Sequence, residues 1–193
     1  MKKRFIVASA SPRRKELLQN AGYAFEIIPS DADETLEDGT SAAEAVEILS
    51  KRKAEAVYKN NPGSVVLGCD TVVALDGVIF GKPKNKDEAF RMLESLSGKT
   101  HTVYTGVCVT DGEKTKTFVS NTEVEFYELS AETIKSYIET LEPMDKAGAY
   151  GIQGFGSVLV KGIRGDYFAV MGLPVNESAR ILSSFGIKGK INL

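Results

Sequence analysis

The sequence has little of the residues that build common metal and redox sites. It contains two cysteines, Cys69 and Cys108, and a single histidine, His101. Without a CxxC pair, a zinc site made of thiolates or imidazoles is not expected. Both cysteines lie in apolar, strand-like runs, which predicts buried, reduced thiols and a cytoplasmic protein. We expect His101 to be structural or simply exposed.

Long apolar runs and an excess of charge of one sign are also missing. The most apolar region, residues 64–81, is interrupted by Asp70, Asp76 and Gly77, so it cannot span a bilayer. The apolar stretch at residues 5–10 is too short for the core of a signal peptide. A net charge of −2 argues against a broad surface for nucleic acid, but it is compatible with a local basic pocket. Neither a membrane nor a nucleic acid is therefore expected as a partner.

The pattern of apolar residues, caps and turn residues predicts an α/β fold. Predicted strands cover residues 5–9, 25–28, 64–70, 71–81 as a hairpin, 100–112, 114–129, 157–163 and 166–171. Predicted helices cover residues 12–21, 41–59, 85–98, 130–142 and 175–185, while residues 142–156 are expected to be non-helical. Interleaved helices and hairpins predict a mixed central sheet with flanking helices, in one domain over residues 1–193. The hairpin-rich middle predicts a second lobe.

The first predicted helix begins with an unusual concentration of positive charge. Arg13, Arg14 and Lys15 occupy its first turn, directly after a serine cap and a proline. Cations are unfavourable at this positive end of the helix dipole, by about 0.3–1 kcal/mol each. Free backbone N–H groups and arginine forks together make a site for phosphate oxygens. A solvated turn with Arg13 paired to Glu16 is the alternative.

Two acidic features are candidates for chemistry. In "VVLGCDTVV", Asp70 stands where an apolar strand is expected to end, at the sheet edge where ligands bind in open α/β folds. A carboxylate there can bind a metal or act as a general base, or it can be a polar turn residue. The second feature is an acidic loop that predicts either Mg²⁺ binding or mere exposure. Its residues are Asp31, Asp33, Glu34, Glu37 and Asp38.

The same loop fits DxDxT, the nucleophile motif of haloacid-dehalogenase-type phosphatases. That motif starts directly at the end of a first strand. Here Pro29 and Ser30 intervene, and an earlier strand and helix precede the loop. We interpret the match as coincidental, but it defines a rival enzyme hypothesis with Asp31 as nucleophile.

Two other enzyme motifs are incomplete. "SGKT" at residues 97–100 lacks the first glycine of a P-loop, since Leu93 stands there, and a strand rather than a helix is predicted to follow. No GxSxG elbow is present. Additional candidate ligands for a phosphate or a base are Lys53, Lys82, Lys146 and Gln153. The structural alternatives are a solvated helix face for Lys53 and a tight turn for the segment of Gln153.

Taken together, these segments resemble the Maf proteins. The resemblance rests on "SASPRRKELL", "GCDTVV", "FGKP", "LSGKTHTVYTGV", "EPMDKAGAYGIQG" and "VMGLP", in this order from residue 9 to residue 174. "GAYGIQG" resembles the branch that acts on dTTP and UTP. The resemblance implies a nucleoside triphosphate pyrophosphatase that uses Mg²⁺ or Mn²⁺. It also implies an elongated fold with a deep cleft between two lobes, related to inosine-triphosphate pyrophosphatases, and a homodimer.

The resemblance also implies roles for single residues. Asp70 matches the family's proton acceptor, and Arg13, Thr71 and Gln153 match positions linked to base selectivity. The other matching polar residues of the cleft are Ser9, Arg14, Glu34, Lys53 and Lys82. We expect Ser9, Arg13 and Arg14 to bind the triphosphate and Lys53 and Lys82 to face the leaving pyrophosphate. Glu34, Asp70 or both would hold the metal.

Three functions are compatible with these sequence features. A pyrophosphatase would give a monophosphate and pyrophosphate from dTTP or UTP. A dehalogenase-type phosphatase would release inorganic phosphate and depend on Asp31. A non-catalytic nucleotide-binding regulator of cell division or septum formation would bind nucleotides without turnover.

Overall fold

A single mixed sheet organises the chain in a computed structural model that describes residues 3–191 and 193. The strands and helices are β1 (Phe5–Val7), α1 (Pro12–Asn20), β2 (Glu26–Ile27), α2 (Ala42–Lys59), β3 (Val65–Leu75), β4 (Val78–Phe80), α3 (Lys86–Leu96), β5 (Thr100–Thr110), β6 (Thr115–Phe126), α4 (Ala131–Glu139), β7 (Val160–Arg164), α5 (Tyr167–Met171) and α6 (Val175–Ser184). The sheet order is β2-β1-β3-β5-β6-β7, and β4 pairs with β3. The predicted α/β class with a mixed sheet and flanking helices is confirmed. The division into two lobes stays a prediction.

The pairing of β3 changes along its length: β1 pairs only with its first part, whereas β5 pairs with it much further. The first part of β3 pairs in parallel with β1, as far as Val7 opposite Leu67. The antiparallel pairing with β5 continues much further, from Val66 to Ala74. The prediction that a strand ends at Asp70 is wrong, because β3 pairs with β5 beyond that residue and continues to Leu75. It is β1 that ends, and Asp70 lies just beyond that point.

The helix α2 lies directly against β3 and β5 because two glycines remove the side chains between them. A Cβ at Gly68 would lie 2.2 Å from the carbonyl oxygen of Ser50, and one at Gly106 would lie 2.2 Å from that of Val46. Helix and sheet backbones can approach this closely only where side chains are absent. The approach brings Lys53, on α2, to the face of β3 that carries Asp70.

Most predicted helix starts and turns are confirmed. Side chains cap the N-termini of the first four helices, namely Ser11, Ser41, Asn85 and Ser130. Gly22, with φ of 77°, follows α1 as expected. Asp76 and Gly77 both have positive φ in the turn between β3 and β4, as a tight hairpin requires.

Two segments differ from expectation. Residues 166–171 were expected to form a strand but form α5, because the Asp166 side chain accepts the N–H groups of Phe168 and Ala169 and starts a helical turn. The segment expected to be non-helical contains three short 3₁₀ turns, at Glu142–Asp145, Ala147–Ala149 and Gly154–Val158. Each turn is three to five residues long, too short for helical periodicity to be visible in the sequence.

No helix in the described part of the chain is both long and apolar enough to cross a membrane.

Candidate active site

A cleft of about 830 Å³ lies beside the middle of β3. Its walls come from the start of α1, from α2, from residues 142–154 and from the end of α5. It gathers almost all the predicted site residues: Arg13, Arg14, Glu34, Lys53, Asp70, Thr71, Lys82 and Gln153, together with Lys146. Ser9 is the exception, because it is buried behind Arg14. Asp31 is exposed and does not line the cleft.

An ion-paired group of three side chains occupies one wall. Lys53 Nζ lies 2.5 Å from Asp70 Oδ1 and 2.8 Å from Glu34 Oε1. Lys53 and Asp70 are each only 14% exposed, whereas Glu34 is 63% exposed. Burial disfavours the ammonium ion, but the two carboxylates outweigh burial, so the pKa of Lys53 is raised. Lys53 therefore remains a cation, and a solvated helix face is excluded as its environment.

Arg14 is fixed by three hydrogen bonds, one of them to Thr71, the residue that follows Asp70 on β3. Its Nε donates to the carbonyl of Gly172 at 2.8 Å, its Nη1 to Ser9 Oγ at 3.1 Å and its Nη2 to Thr71 Oγ1 at 3.0 Å. A guanidinium has five N–H donors, so two remain for a ligand. Ser9 thus holds Arg14 in place rather than lining the cleft.

A chain of hydroxyl groups determines the direction of the hydrogen bonds at Thr71. Thr105 donates its single proton to the carbonyl of Ala169 at 2.8 Å. Its hydroxyl lies 3.0 Å from Thr71 Oγ1, so in that contact Thr71 must be the donor. Because Thr71 also accepts from Arg14, only a lone pair remains on its oxygen. Thr71 therefore offers the cleft an acceptor and not a donor.

Asp145 connects the start of α1 with the wall formed by residues 142–154. Arg13 Nη1 lies 3.3 Å from Asp145 Oδ2, so its partner is Asp145 and not Glu16. Lys146 Nζ donates to the other oxygen of Asp145 at 2.7 Å and to the carbonyl of Glu142 at 2.6 Å. Asp145 therefore holds two of the cleft's cations, Arg13 and Lys146.

The donor set in the cleft suits a metal that is shared with a ligand. The described residues include no group of three or more His, Cys, Asp or Glu side chains placed to enclose an ion. Glu34 and Asp70, however, both contact Lys53 Nζ, so two carboxylates lie close together. Mg²⁺ commonly binds one or two carboxylates and takes its remaining ligands from phosphate and water. The residues present fit such a site.

Two residues near the cleft have no signal in the sequence, Thr105 and Tyr150. Thr105 lies in β5, which contains several threonines, so the sequence does not distinguish it. Its contacts with Thr71 and Ala169 show that it supports the cleft. The other is Tyr150, which lines the cleft and bonds His101 Nε2 at 2.8 Å. His101 is buried, and burial lowers its pKa from 6.5 to about 4. Of the two alternatives for His101, structural or exposed, the structure supports the first.

Comparison with known proteins identifies the family. The sequence profile described as "Maf-like protein" matches residues 4–185. The chain belongs to the Maf family. It is also 51% identical, over 185 residues, to a protein of Bacillus cereus (strain G9842) named "dTTP/UTP pyrophosphatase". That match covers 96% of this chain and 97% of the relative. A protein of Bacillus anthracis (strain CDC 684 / NRRL 3495) with the same name is similar to the same extent.

Membership in the Maf family agrees with where the motifs lie. The quoted segments are far apart in the sequence, yet "SASPRRKELL", "GCDTVV", "FGKP" and "EPMDKAGAYGIQG" all supply residues to one cleft in this Maf chain. The acidic loop supplies only Glu34. β2 ends at Ile27, four residues before Asp31, so the dehalogenase-type placement at a strand end is absent.

Proposed function

We propose that this Maf protein is a nucleoside triphosphate pyrophosphatase that hydrolyses dTTP and UTP to the monophosphate and pyrophosphate. One observation supports this most: a cleft lined by five cations contains the carboxylate of Asp70, only 14% exposed, on its β3 wall. Anionic phosphate groups need the cations, and hydrolysis needs a group that accepts a proton. The printed names of the Bacillus relatives support the choice of nucleotide.

In this proposal, the triphosphate lies across the N-terminus of α1. The two free N–H groups of Arg14, the guanidinium of Arg13 and the backbone N–H groups of the first turn bind its oxygens. Arg13 would exchange Asp145 for phosphate, because its present ion pair is partly exposed and therefore weak. Lys53 and Lys82 also line the cleft and would stabilise the charge that develops on the leaving pyrophosphate. Ser9 contributes indirectly, through Arg14.

The chemical step requires a water molecule placed between Asp70 and the α-phosphorus. Water oxygen forms the new bond to phosphorus, the bond from phosphorus to the bridging oxygen of the β-phosphate breaks, and pyrophosphate leaves. Asp70 accepts the proton of the water. Lys53 holds Asp70 at a fixed position and is itself fixed by Glu34, so the base is oriented before the substrate binds.

Glu34 and Asp70 would hold a divalent cation, Mg²⁺ or Mn²⁺, together with phosphate oxygens. When bound, such an ion polarises the phosphoryl group and lowers the pKa of a coordinated water. Lys53 contacts both carboxylates and neutralises part of their charge until a ligand arrives.

Recognition of the base would use Thr71 and Gln153. The hydroxyl of Thr71 can only accept, which matches the N3–H donor of uracil and thymine and does not match the N3 acceptor of cytosine. Gln153 carries both a donor and an acceptor and lines the same cleft. A cytoplasmic location and a homodimer stay predictions from the sequence.

The test is product analysis by phosphorus NMR after incubation with dTTP, UTP or GTP and Mg²⁺. We expect pyrophosphate and the monophosphate from dTTP and UTP, and little turnover of GTP. Asp70→Asn should lower kcat by at least ~10²-fold because the proton acceptor is lost. Asp31→Asn is the matched control, since Asp31 is exposed outside the cleft, and it should be active.

Other outcomes would favour the other functions. Release of inorganic phosphate that depends on Asp31 would indicate a dehalogenase-type phosphatase. Binding of nucleotides without turnover would indicate a non-catalytic regulator.

A further inference from the structure

The backbone before Gln153 is held by a buried tyrosine. The N–H of Gly151 donates to the hydroxyl of Tyr137 at 3.0 Å. That hydroxyl in turn donates to Glu142 Oε1 at 2.9 Å. Tyr137 is 5% exposed and belongs to α4, which packs in the hydrophobic core. The start of the Gln153 segment is therefore anchored to the core of the protein.

The backbone after Gln153 is held by the same carboxylate. The N–H of Phe155 donates to Glu142 Oε2 at 2.9 Å, and the N–H of Gly156 donates to Glu142 Oε1 at 3.0 Å. Tyr137 and Glu142 thus bind the chain on both sides of Gln153. We call these two side chains the clamp.

Donors and acceptors in the clamp match. Burial opposes ionisation of Glu142, but the N–H groups of Gly156 and Phe155 and the Tyr137 hydroxyl outweigh burial, and the pKa of Glu142 is lowered. An ionised carboxylate only accepts hydrogen bonds, and here three donors point to it. Burial raises the pKa of Tyr137, so its hydroxyl keeps the proton that it donates.

The sequence of the segment is adapted to the clamp. Gly154 has φ of 64°, and a Cβ there would lie 2.3 Å from Glu142 Oε2. A Cβ at Gly156 would lie 2.7 Å from the Tyr137 hydroxyl. The chain can therefore fold onto the two side chains only because glycine stands at these positions.

We propose that the clamp is a positioning device for Gln153 and thereby sets the selectivity of the enzyme for the base. The proposal rests on the proposed function. Neither clamp residue needs to touch the base: the two residues hold the backbone from which Gln153 reaches into the cleft. Without the clamp, Gln153 would lie on a flexible, glycine-rich segment and would have several conformations. Binding of the base would then have to order the segment, which lowers affinity.

The test is a double-mutant cycle on kcat/KM for UTP, with GTP as the reference nucleotide. Tyr137→Phe removes two hydrogen bonds and hardly changes volume. It should lower the UTP-to-GTP ratio of kcat/KM about tenfold, mainly through KM, as should Gln153→Ala. Because both changes act through the same side chain, the double variant should lose no more than the stronger single variant. Tyr127→Phe, at an exposed tyrosine, is the control and should leave the ratio unchanged.

Glu142→Gln is the second variant, for use if Tyr137→Phe fails to fold. Its amide cannot accept from all three donors, so it should lower the UTP-to-GTP ratio of kcat/KM to a similar extent. Losses of Tyr137→Phe and Gln153→Ala that multiply would contradict the clamp, as would unchanged selectivity in both clamp variants. Absence of pyrophosphate release by the wild-type protein would instead reject the proposed function, and with it the clamp's role in selectivity.

Discussion

At the scale of single residues, the cleft is built from side chains that neutralise or orient one another. Lys53 lies between Asp70 and Glu34, Arg13 faces Asp145, and Arg14 is held by three acceptors. These partners reduce the cost of collecting like charges in one place, which would otherwise be unfavourable for folding. The residues are also oriented before a substrate binds, which lowers the entropy lost on binding.

Replacement of Lys53 tests this orientation. Lys53→Met should lower kcat/KM for dTTP by about 10²-fold, because Asp70 and Glu34 then repel each other and the phosphates. Lys51→Met is a matched control on the same helix, since Lys51 is exposed and its contact with Glu55 is 3.9 Å long. Steady-state kinetics of both variants would check the prediction, and equal losses would contradict it.

Thr105 tests the hydrogen-bond direction at Thr71. Thr105→Val removes the acceptor of the Thr71 proton, so Thr71 can donate into the cleft. The ratio of kcat/KM for UTP over CTP should fall about fivefold to tenfold. Thr105→Ser retains the hydroxyl and should retain the ratio. A ratio that is unchanged in Thr105→Val would show that Thr71 does not read the base.

The sequence predicts those cleft residues that belong to a local pattern, and it does not predict those that act through contacts with distant residues. Arg13 and Arg14 are visible because cations at a helix N-terminus conflict with the dipole. Contact of Ser9 with the substrate stays a prediction, and its hydrogen bond with Arg14 is a side-chain contact that no spacing reveals. Thr105 and Tyr137 act across contacts between residues that lie far apart in the chain, and such contacts leave no local pattern.

At the scale of secondary structure, the close contact of α2 with the sheet aligns the two halves of the Lys53–Asp70 pair. The contact requires glycine at two strand positions, Gly68 and Gly106, neither of which has a positive φ. These glycines serve to admit a helix rather than to form a turn. The positions of α2 and β3 thus connect the stability of the fold with the geometry of the site.

Gly106→Ala tests this connection. Its Cβ would lie 2.2 Å from the carbonyl oxygen of Val46, so α2 must move away from β5. We expect a loss of about 3 kcal/mol in the free energy of unfolding, measured with urea, and a loss of activity as Lys53 is displaced. Gly162→Ala is the control on β7, where a Cβ meets nothing within 4 Å. Equal stability of the two variants would contradict the account.

The sequence predicts elements well where side chains bond their own backbone. The helix caps and the Asp76–Gly77 turn are of this kind, and all lie as expected. It fails where neighbouring elements decide the conformation. The continuation of β3 past Asp70, for example, depends on its pairing with β5. The helix α5 is an exception to the first rule: its Asp166 cap is local, but the five residues that follow are apolar and also fit a strand.

At the scale of the whole molecule, a chain with a net charge of −2 places five lysine and arginine side chains around one cleft. The contrast favours capture of a small polyanion without a general affinity for nucleic acid. Stability also depends on buried titratable groups such as His101, which is hydrogen-bonded to the cleft residue Tyr150.

His101 predicts how stability depends on pH. Burial lowers its pKa in the folded protein to about 4, below its ordinary value of 6.5. Between these values the unfolded chain binds the proton more readily, so stability falls as pH falls. We expect a loss of about 2 kcal/mol in the free energy of unfolding from pH 7.5 to pH 5.

The measurement is urea unfolding at both pH values for the wild-type protein and for His101→Gln. The variant has no imidazole to titrate, so its free energy of unfolding should change much less over this interval. The same pH dependence in both proteins would show that other groups are responsible.

The most direct test of the account follows the oxygen atom of the attacking water. The protein would hydrolyse dTTP in water labelled with a heavy oxygen isotope, and phosphorus NMR would locate the label in the products. Attack on the α-phosphorus next to Asp70 predicts label in dTMP, unlabelled pyrophosphate and almost no reaction with Asp70→Asn. Label in pyrophosphate, release of inorganic phosphate, or full activity of Asp70→Asn would contradict it.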